Sequence, residues 1–194
     1  MNEYNYDWTL NTDITSDGSN RNILRRLKEN DPNFAELWVF GDGRYRSSNA
    51  YCPDGAQDLG CLGFFIGQNT TLQALYLSTN PFGMTNVEIQ SFCRGVNSNR
   101  SIQKISFGEM NLSGGELFQS LRPFVENNHN LSDLVLESCQ FGSECARQLS
   151  LMLRGSSKSL KSFKINRSGM GDEQLVGIIE ALSTHPQLEN LVMI

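Results

Sequence analysis

The side chains that most often carry out enzyme chemistry are sparse in this chain. Its two histidines, His129 and His185, lie two repeating units apart, a separation of about 10 Å or more in a parallel array. The zinc motif H-E-x-x-H, the nucleophile motif G-x-S-x-G and the phosphate loop G-x-x-x-x-G-K-[ST] do not occur. The G-x-G at residues 41–43 lacks a third glycine. We therefore predict no catalytic residue, no cofactor and no enzyme activity.

The five cysteines fit reduced thiols better than disulfides or a metal site. They are Cys52, Cys61, Cys93, Cys139 and Cys145. Their number is odd and no two have C-x-x-C spacing, which argues against a disulfide framework and against a zinc site. We expect a cytoplasmic protein without a bound metal.

Several aromatic and charged side chains are instead suited to binding another protein. Exposed Trp and Tyr are enriched at the centres of protein interfaces, and the planar guanidinium of Arg can bind both oxygens of a carboxylate at once. The candidate partner-binding residues are Trp38, Phe40, Arg44, Tyr45, Arg46, Tyr76, Glu137, Lys164 and Asn166. The alternative is that the N-terminal segment or the long loop covers Trp38 and Phe40, and that residues 44–46 are ordinary solvated loop residues.

A sequence repeat that occurs six times must position these candidates. Its form is L-x-x-L-x-L, as in Leu131, Leu134 and Leu136, and a helical pattern follows it. The repeats start at Phe34, Leu72, Ile102, Leu131, Leu160 and Leu188, with steps of 38, 30, 29, 29 and 28 residues. A nearly fixed period of this length predicts a solenoid, in which neighbouring repeats share one continuous core.

Each repeat is expected to contain a short strand and then a helix. The spacing of apolar residues predicts helices at 86–96, 115–125, 143–153 and 172–182. The strand side chains predicted to point outward are Trp38/Phe40, Tyr76/Ser78, Ser106/Gly108, Val135/Glu137, Lys164/Asn166 and Val192/Ile194. The first step is longer than the others by about nine residues, and insertions of this kind often lie on the binding rim of a solenoid.

Repeats of this length, each with a strand and a full helix, resemble the ribonuclease-inhibitor type of leucine-rich repeat. The resemblance covers residues 23–194. Asn80 and Cys139 match the Asn or Cys of the family's turn, whereas Met110 departs from it. The resemblance implies an α/β solenoid shaped as a horseshoe arc, with parallel strands on the concave face and helices on the convex face. It also implies a role in binding other proteins.

The two ends of the chain differ from the repeat array. In residues 1–22, the alternation of Tyr4, Tyr6, Trp8 and Leu10 predicts a strand that caps the first edge, and the alternative is a mobile tail. Residues 23–194 are predicted to form one domain of about five repeats plus a terminal strand. That strand, from Leu188 to Ile194, would leave an open apolar edge through which the protein could self-associate.

Composition narrows the class of partner. The 16 basic and 21 acidic residues give a net charge of −5, which disfavours binding to nucleic acid or to anionic membranes. No apolar run approaches the roughly 20 residues that span a bilayer. We expect a protein-protein interaction module that binds through the concave face and adjoining loops. The alternatives are a regulatory inhibitor or GTPase activator, and a structural fragment of a larger receptor or sensor.

Overall fold

The computed structural model describes residues 15–42, 47–81, 86–156 and 159–194. The helices are α1 (Gly18–Lys28), α2 (Ala56–Gln68), α3 (Asn86–Val96), α4 (Glu116–Asn127), α5 (Ser143–Gly155) and α6 (Asp172–Leu182). The strands are β1 (Glu36–Phe40), β2 (Ala50–Tyr51), β3 (Ala74–Ser78), β4 (Lys104–Gly108), β5 (Asn111–Leu112), β6 (Asp133–Glu137), β7 (Gln140–Phe141), β8 (Ser162–Asn166) and β9 (Asn190–Met193). None of these helices is long and apolar enough to cross a membrane.

Seven strands form one parallel sheet in the order β2-β1-β3-β4-β6-β8-β9. A helix connects each long strand to the next, so the strands run in one direction and the helices cover one face of the sheet. Short strands β5 and β7 pair separately, where the chain passes from sheet to helix. The architecture is the α/β solenoid that the repeat predicts, with the strands on the concave face.

The alternation of side chains along each strand separates the core from the concave face. Leu75, Ile105 and Leu134 occupy the same register position on β3, β4 and β6, and all three are at most 1% exposed. The helices complete this core with side chains such as Leu121 and Leu149. Burial of apolar surface is the main stabilising term, so the repeat fixes which strand side chains remain outside.

Buried asparagines join successive repeats at the turn from helix to strand. Asn99 Nδ2 donates to the carbonyl oxygens of Ile66 (2.7 Å) and Asn69 (2.8 Å), and Asn99 Oδ1 accepts from the N–H of Ile102 (2.9 Å). Asn128 Nδ2 also donates to the preceding repeat, to the carbonyl oxygen of Ile102 (2.9 Å). Because these turns are buried, such side chains supply the partners that the backbone groups need.

His185 occupies in the last repeat the position that asparagine holds in three earlier repeats, as Asn69, Asn99 and Asn128. Its Nε2 lies 2.8 Å from the carbonyl oxygen of Leu153 and 3.0 Å from Ser156 Oγ, and the ring is 8% exposed. A carbonyl oxygen only accepts, so Nε2 bears a proton and donates to it. His185 therefore serves as a buried turn residue.

One rim of the concave face carries residues in the left-handed backbone region. Thr79, Glu109, Ser138 and Arg167 each follow a long strand, with φ between 51° and 54°. In the first repeat Gly41 stands at this position, and a Cβ on Gly41 would lie 2.0 Å from the carbonyl oxygen of Thr79. Glycine is therefore required at the first turn, while the other four turns hold side chains at a cost of about 1–2 kcal/mol each.

The short strand β2 extends the sheet beyond β1 and is held by a buried polar cluster. Tyr51 donates a hydrogen bond to Asp58, whose other carboxylate oxygen accepts from the N–H of Asp54 (2.8 Å). Asn20 Nδ2 donates to the carbonyl oxygen of Cys52 (2.8 Å) and thereby ties α1 to this strand. The predicted capping strand at residues 4–10 lies outside the described residues.

The opposite end of the solenoid displays apolar side chains. Leu191 occupies the register position of the fully buried Phe163, yet it is 46% exposed. Ile194 is 84% exposed, and on α6 the side chains of Val176 and Ile179 are 53% and 47% exposed. We call these four residues the end patch. Strand β9 pairs only with β8 among the described strands, so its other edge has unpaired backbone groups.

Candidate functional site

The concave face carries three rows of side chains, because each strand contributes alternate residues in register. The first row is Glu36, Ala74, Lys104, Asp133, Ser162 and Asn190. The second row is Trp38, Tyr76, Ser106, Val135, Lys164 and Val192, and the third is Phe40, Ser78, Gly108, Glu137 and Asn166. The predicted binding residues in the described part of the sheet therefore fall in the second and third rows.

An aromatic stack occupies one end of this face. The rings of Trp38 and Tyr76 lie with their centroids 3.9 Å apart and their planes 6° apart, and Phe40 stacks beside Trp38 at 5.9 Å. Trp38 is 36% exposed, Tyr76 is half-buried and Phe40 is 9% exposed. Parallel rings on neighbouring strands cover each other's faces, so ring edges remain for a partner.

Lys104 extends the stack on the far side of Tyr76. Its ammonium group lies 5.1 Å from the centre of the Tyr76 ring, within the range of a cation–π contact. Beside it, a shallow hollow of about 270 Å³ is lined by Glu36, Tyr76, Lys104 and Asp133, among others. The hollow is polar, and it joins the first row to the aromatic stack.

Charged side chains occupy the other end of the face. Glu137 on β6 is exposed, and Lys164 and Asn166 on β8 are half-buried. Lys164 lies opposite Val135 in the register, with Asp133 and Glu137 at the diagonal positions. Neither Glu137 nor Lys164 forms an ion pair with any residue that the structure describes, so both charges are available to a partner.

The predicted binding residues are only partly brought together. Trp38, Phe40 and Tyr76 form one cluster, whereas Glu137, Lys164 and Asn166 lie two or three strands away from Tyr76. Arg44, Tyr45 and Arg46 lie outside the described residues.

The outward-facing residues predicted from the sequence did not include the first row. Lys104 and Asp133 belong to it, and both line the hollow beside Tyr76. The alternation of side chains along a strand could have identified this row. If Ser106 and Val135 point outward, the residues two positions before them point outward as well. The predicted strands placed a core leucine or isoleucine first, whereas β4 and β6 open with an outward residue.

The cysteines are poorly placed for nucleophilic chemistry. Cys61, Cys93, Cys139 and Cys145 are buried, and burial raises the pKa of each thiol, to about 12 for Cys61. A neutral thiol is a weak nucleophile and a weak metal ligand. In the described ranges, no three His, Cys, Asp or Glu side chains are grouped so that they could hold a metal ion.

Comparison with known proteins yields solved structures only. No protein-family model matches the chain, and no curated protein matches it. A structure of leiomodin-1 actin-binding site 2 covers 84% of this chain and 87% of its own, with 14% identity and a TM-score of 0.56. The tropomodulin C-terminal domain of Caenorhabditis elegans covers 90% of this chain and 82% of its own, with 15% identity and a TM-score of 0.50.

This chain is similar in fold to those two domains. The expected ribonuclease-inhibitor type of repeat is therefore wrong, because the matching structures are leiomodin and tropomodulin domains. The physical reason is that a repeat of 28–30 residues with one strand and one helix defines how a single unit folds. The subtype depends on how whole units stack, which the repeat length does not determine.

Proposed function

We propose that this protein is an interaction module that binds another protein through its concave face and the adjoining loops, without catalysis. The observation that carries the proposal is the stack of Trp38 and Tyr76, which leaves a large aromatic surface partly exposed on a rigid sheet. Exposed Trp and Tyr side chains on a fixed support are typical of binding hot spots.

The size of the face is compatible with such a role. Six long strands at a spacing of about 4.8 Å give a surface roughly 24 Å across, each strand contributing two or three outward side chains. A standard interface buries about 800 Å² on each partner, which a face of this size and its rims can supply. Neither the indole N–H of Trp38 nor the hydroxyl of Tyr76 has a hydrogen-bond partner in the described part of the chain, so both donors are free to meet acceptors on a partner.

Actin is the first partner that we propose to test, because the matching leiomodin-1 structure is that of its actin-binding site 2. The experiment compares cosedimentation with filaments, and binding to fluorescent actin monomers, for the wild-type chain and for the double variant Trp38→Ala/Tyr76→Ala. Arg122→Ala on the convex helix α4 is the matched control, because its side chain is exposed and lies off the sheet. We expect actin binding that the double variant weakens at least tenfold and the control leaves unchanged.

Two results would contradict the proposal in different ways. Absence of actin binding would remove actin as the partner, and the same variants would then be compared for any partner that proximity labelling identifies. Binding that persists in the double variant would remove the concave face as the binding surface. Turnover of a substrate by the purified chain, abolished by a single polar substitution, would contradict the proposed absence of catalysis.

The other functions considered from the sequence stay alternatives. A regulatory inhibitor or a GTPase activator would act through the same face and rim, and assays of stimulation or inhibition across small GTPases would distinguish it. A structural role in a larger receptor or sensor does not require the side chains of Trp38 and Tyr76. A cytoplasmic location remains part of this proposal, and so does the absence of nucleic-acid and membrane partners.

Self-association through the C-terminal edge is a second proposal, and the end patch is the observation that favours it. Four large apolar side chains, those of Val176, Ile179, Leu191 and Ile194, are about half exposed or more at this end. Apolar surface gathered at an open strand edge favours pairing between copies.

A further inference from the structure

The concave face carries two neighbouring columns of opposite charge. The acidic column is Asp133 and Glu137 on β6, and the basic column is represented on β8 by Lys164, which is the charged side chain that β8 contributes to the three rows. Adjacent strands lie about 4.8 Å apart, so any partner that crosses the face meets one column directly after the other.

The two columns do not neutralise each other. No ion pair joins Asp133, Glu137 or Lys164 to another residue in the described ranges. Asp133 accepts a hydrogen bond from Ser132 Oγ (2.6 Å), and Lys164 lies directly opposite the apolar Val135. Charges held apart in this way contribute little to the stability of the fold, and they set the orientation and specificity of a binding partner instead.

The aromatic stack fixes a third point at a known separation. Tyr76 on β3 lies two strands from the acidic column and three strands from the basic column. These separations are about 10 Å and about 14 Å. In the second and third rows, the strand between Tyr76 and Val135 carries only the small residues Ser106 and Gly108, while Lys104 lies in the first row. A helix could therefore lie across the strands, over the small residues and between the aromatic stack and the charged side chains of β6 and β8.

The separations match the repeat of an α-helix. At a rise of 1.5 Å per residue, about 10 Å corresponds to about seven residues and about 14 Å to about ten. Residues at i, i+7 and i+10 or i+11 lie on one side of a helix, because seven and eleven residues are close to two and three full turns. An extended strand would have to place its three contacts within about five residues, and alternate residues of it would point away from the face.

We infer that the partner's contacting element is an amphipathic helix that crosses the strands, with an apolar or aromatic residue at i, Lys or Arg at i+7, and Asp or Glu at i+10 or i+11. The apolar residue packs on the ring edges of Trp38 and Tyr76. The basic residue pairs with Asp133 or Glu137, and the acidic residue pairs with Lys164. The inference rests on the proposed use of the concave face and adds the chemistry of the partner.

Selection from a display library of helical peptides tests whether the partner presents an apolar, a basic and an acidic side chain in this order. The helix is built from alanine and glutamine, with positions i, i+7, i+10 and i+11 randomised, and it is selected on the purified wild-type chain. A second selection uses the double variant Glu137→Lys/Lys164→Glu, which exchanges the two charges and keeps the aromatic stack. A third uses Trp38→Ala/Tyr76→Ala. Circular dichroism and thermal unfolding of all three proteins establish that each is folded before selection.

We expect wild-type selection to enrich the order apolar, basic, acidic. The charge-exchanged variant should enrich apolar, acidic, basic, and each selected helix should bind its own protein about tenfold more tightly than the exchanged one. Helices that need Trp38 and Tyr76 but show the same charges on both proteins would overturn the inference and leave the proposed function standing. Helices enriched equally by the variant without the aromatic stack, or no enrichment on any protein, would overturn the inference and also count against the concave face as a binding surface.

Discussion

The indole of Trp38 lies 3.9 Å from the phenol ring of Tyr76, centre to centre, although the two residues are 38 apart in the sequence. The contact exists because β1 and β3 pair in parallel with Trp38 opposite Tyr76. An insertion separates the two repeats, yet the strand register restores the alignment. The same register aligns Ser106, Val135 and Lys164 across the rest of the face.

The stacked pair should be energetically coupled. Aromatic pairs contribute about 0.5–1.5 kcal/mol beyond the area that they bury. A double-mutant cycle of Trp38→Ala and Tyr76→Ala, measured by urea unfolding, should give a coupling energy of about 1 kcal/mol. The control cycle combines Trp38→Ala with Val87→Ala, which is exposed on α3 and should add independently. Simple additivity of Trp38 with Tyr76 would mean that the rings are not stacked in solution.

The buried amide of Asn99 should be essential for the junction between its repeats. Asn99→Ala removes the donor to the carbonyl oxygens of Ile66 and Asn69 and the acceptor for Ile102, and leaves these groups buried. Each unsatisfied buried group costs about 1–3 kcal/mol, so we expect the free energy of unfolding to fall by about 2–4 kcal/mol. The matched control is Asn127→Ala, an exposed asparagine that bonds one carbonyl oxygen, and it should cost less than about 0.5 kcal/mol. Equal losses would contradict the proposed structural role of Asn99.

Replacing one of the residues in the left-handed region with glycine should stabilise the protein. Glu109 is exposed with φ of 51°, so Glu109→Gly relieves backbone strain and deletes no buried contact. The relief of about 1–2 kcal/mol exceeds the added entropy of the unfolded chain, and we expect a gain of about 0.5–1 kcal/mol in thermal or urea unfolding. Gln103→Gly, at an exposed position without positive φ, should instead destabilise the protein by about 0.5–1 kcal/mol. A loss of stability in Glu109→Gly would show that its side chain makes a contact worth more than the strain.

The buried carboxyl of Asp58 should make stability depend on pH. Burial raises its pKa above the value that the unfolded chain shows, near 3.9. The folded protein then holds the proton more tightly than the unfolded chain does. The stabilising contribution is complete below about pH 3.9 and is lost as pH rises through the folded pKa.

The measurement compares urea unfolding of wild type and Asp58→Asn from pH 3.5 upward. Asparagine does not ionise; its one oxygen can accept from the N–H of Asp54, and its NH2 group can donate to the hydroxyl oxygen of Tyr51. The stability of wild type relative to Asp58→Asn should therefore fall as pH rises. A constant difference, or one that grows with pH, would mean that the carboxyl is not desolvated as its burial indicates.

The end patch should control any self-association. Light scattering at increasing concentration should show a rise in mass for wild type that Val176→Asp/Ile179→Asp reduces, because two charges would have to be buried in the contact. Val87→Asp changes an exposed apolar residue on α3, away from the end patch, and serves as the control. A wild-type mass that stays monomeric at all concentrations would remove this proposal.

Much of the fold follows from the spacing of apolar residues. The predicted helices at 86–96 and 172–182 coincide with α3 and α6. Their limits could be predicted because the sequence has turn-forming residues where these helices begin and end. The order of six long parallel strands also follows, since each repeat must bury its apolar strand face against its neighbours. Periodicity works here because both strand and helix bury only one side.

Only the tertiary structure decided which side chains meet. The pairing of β2 with β1 depends on backbone groups that become close after folding, and two residues are too few to give a pattern. The place of Lys104 beside Tyr76 depends on register between strands that lie far apart in sequence, and the subtype of solenoid depends on how repeats stack. The sequence by itself determined the unit and its period, because these are local consequences of burial. Contacts between units were decided by the tertiary fold, because they depend on geometry that accumulates from one repeat to the next.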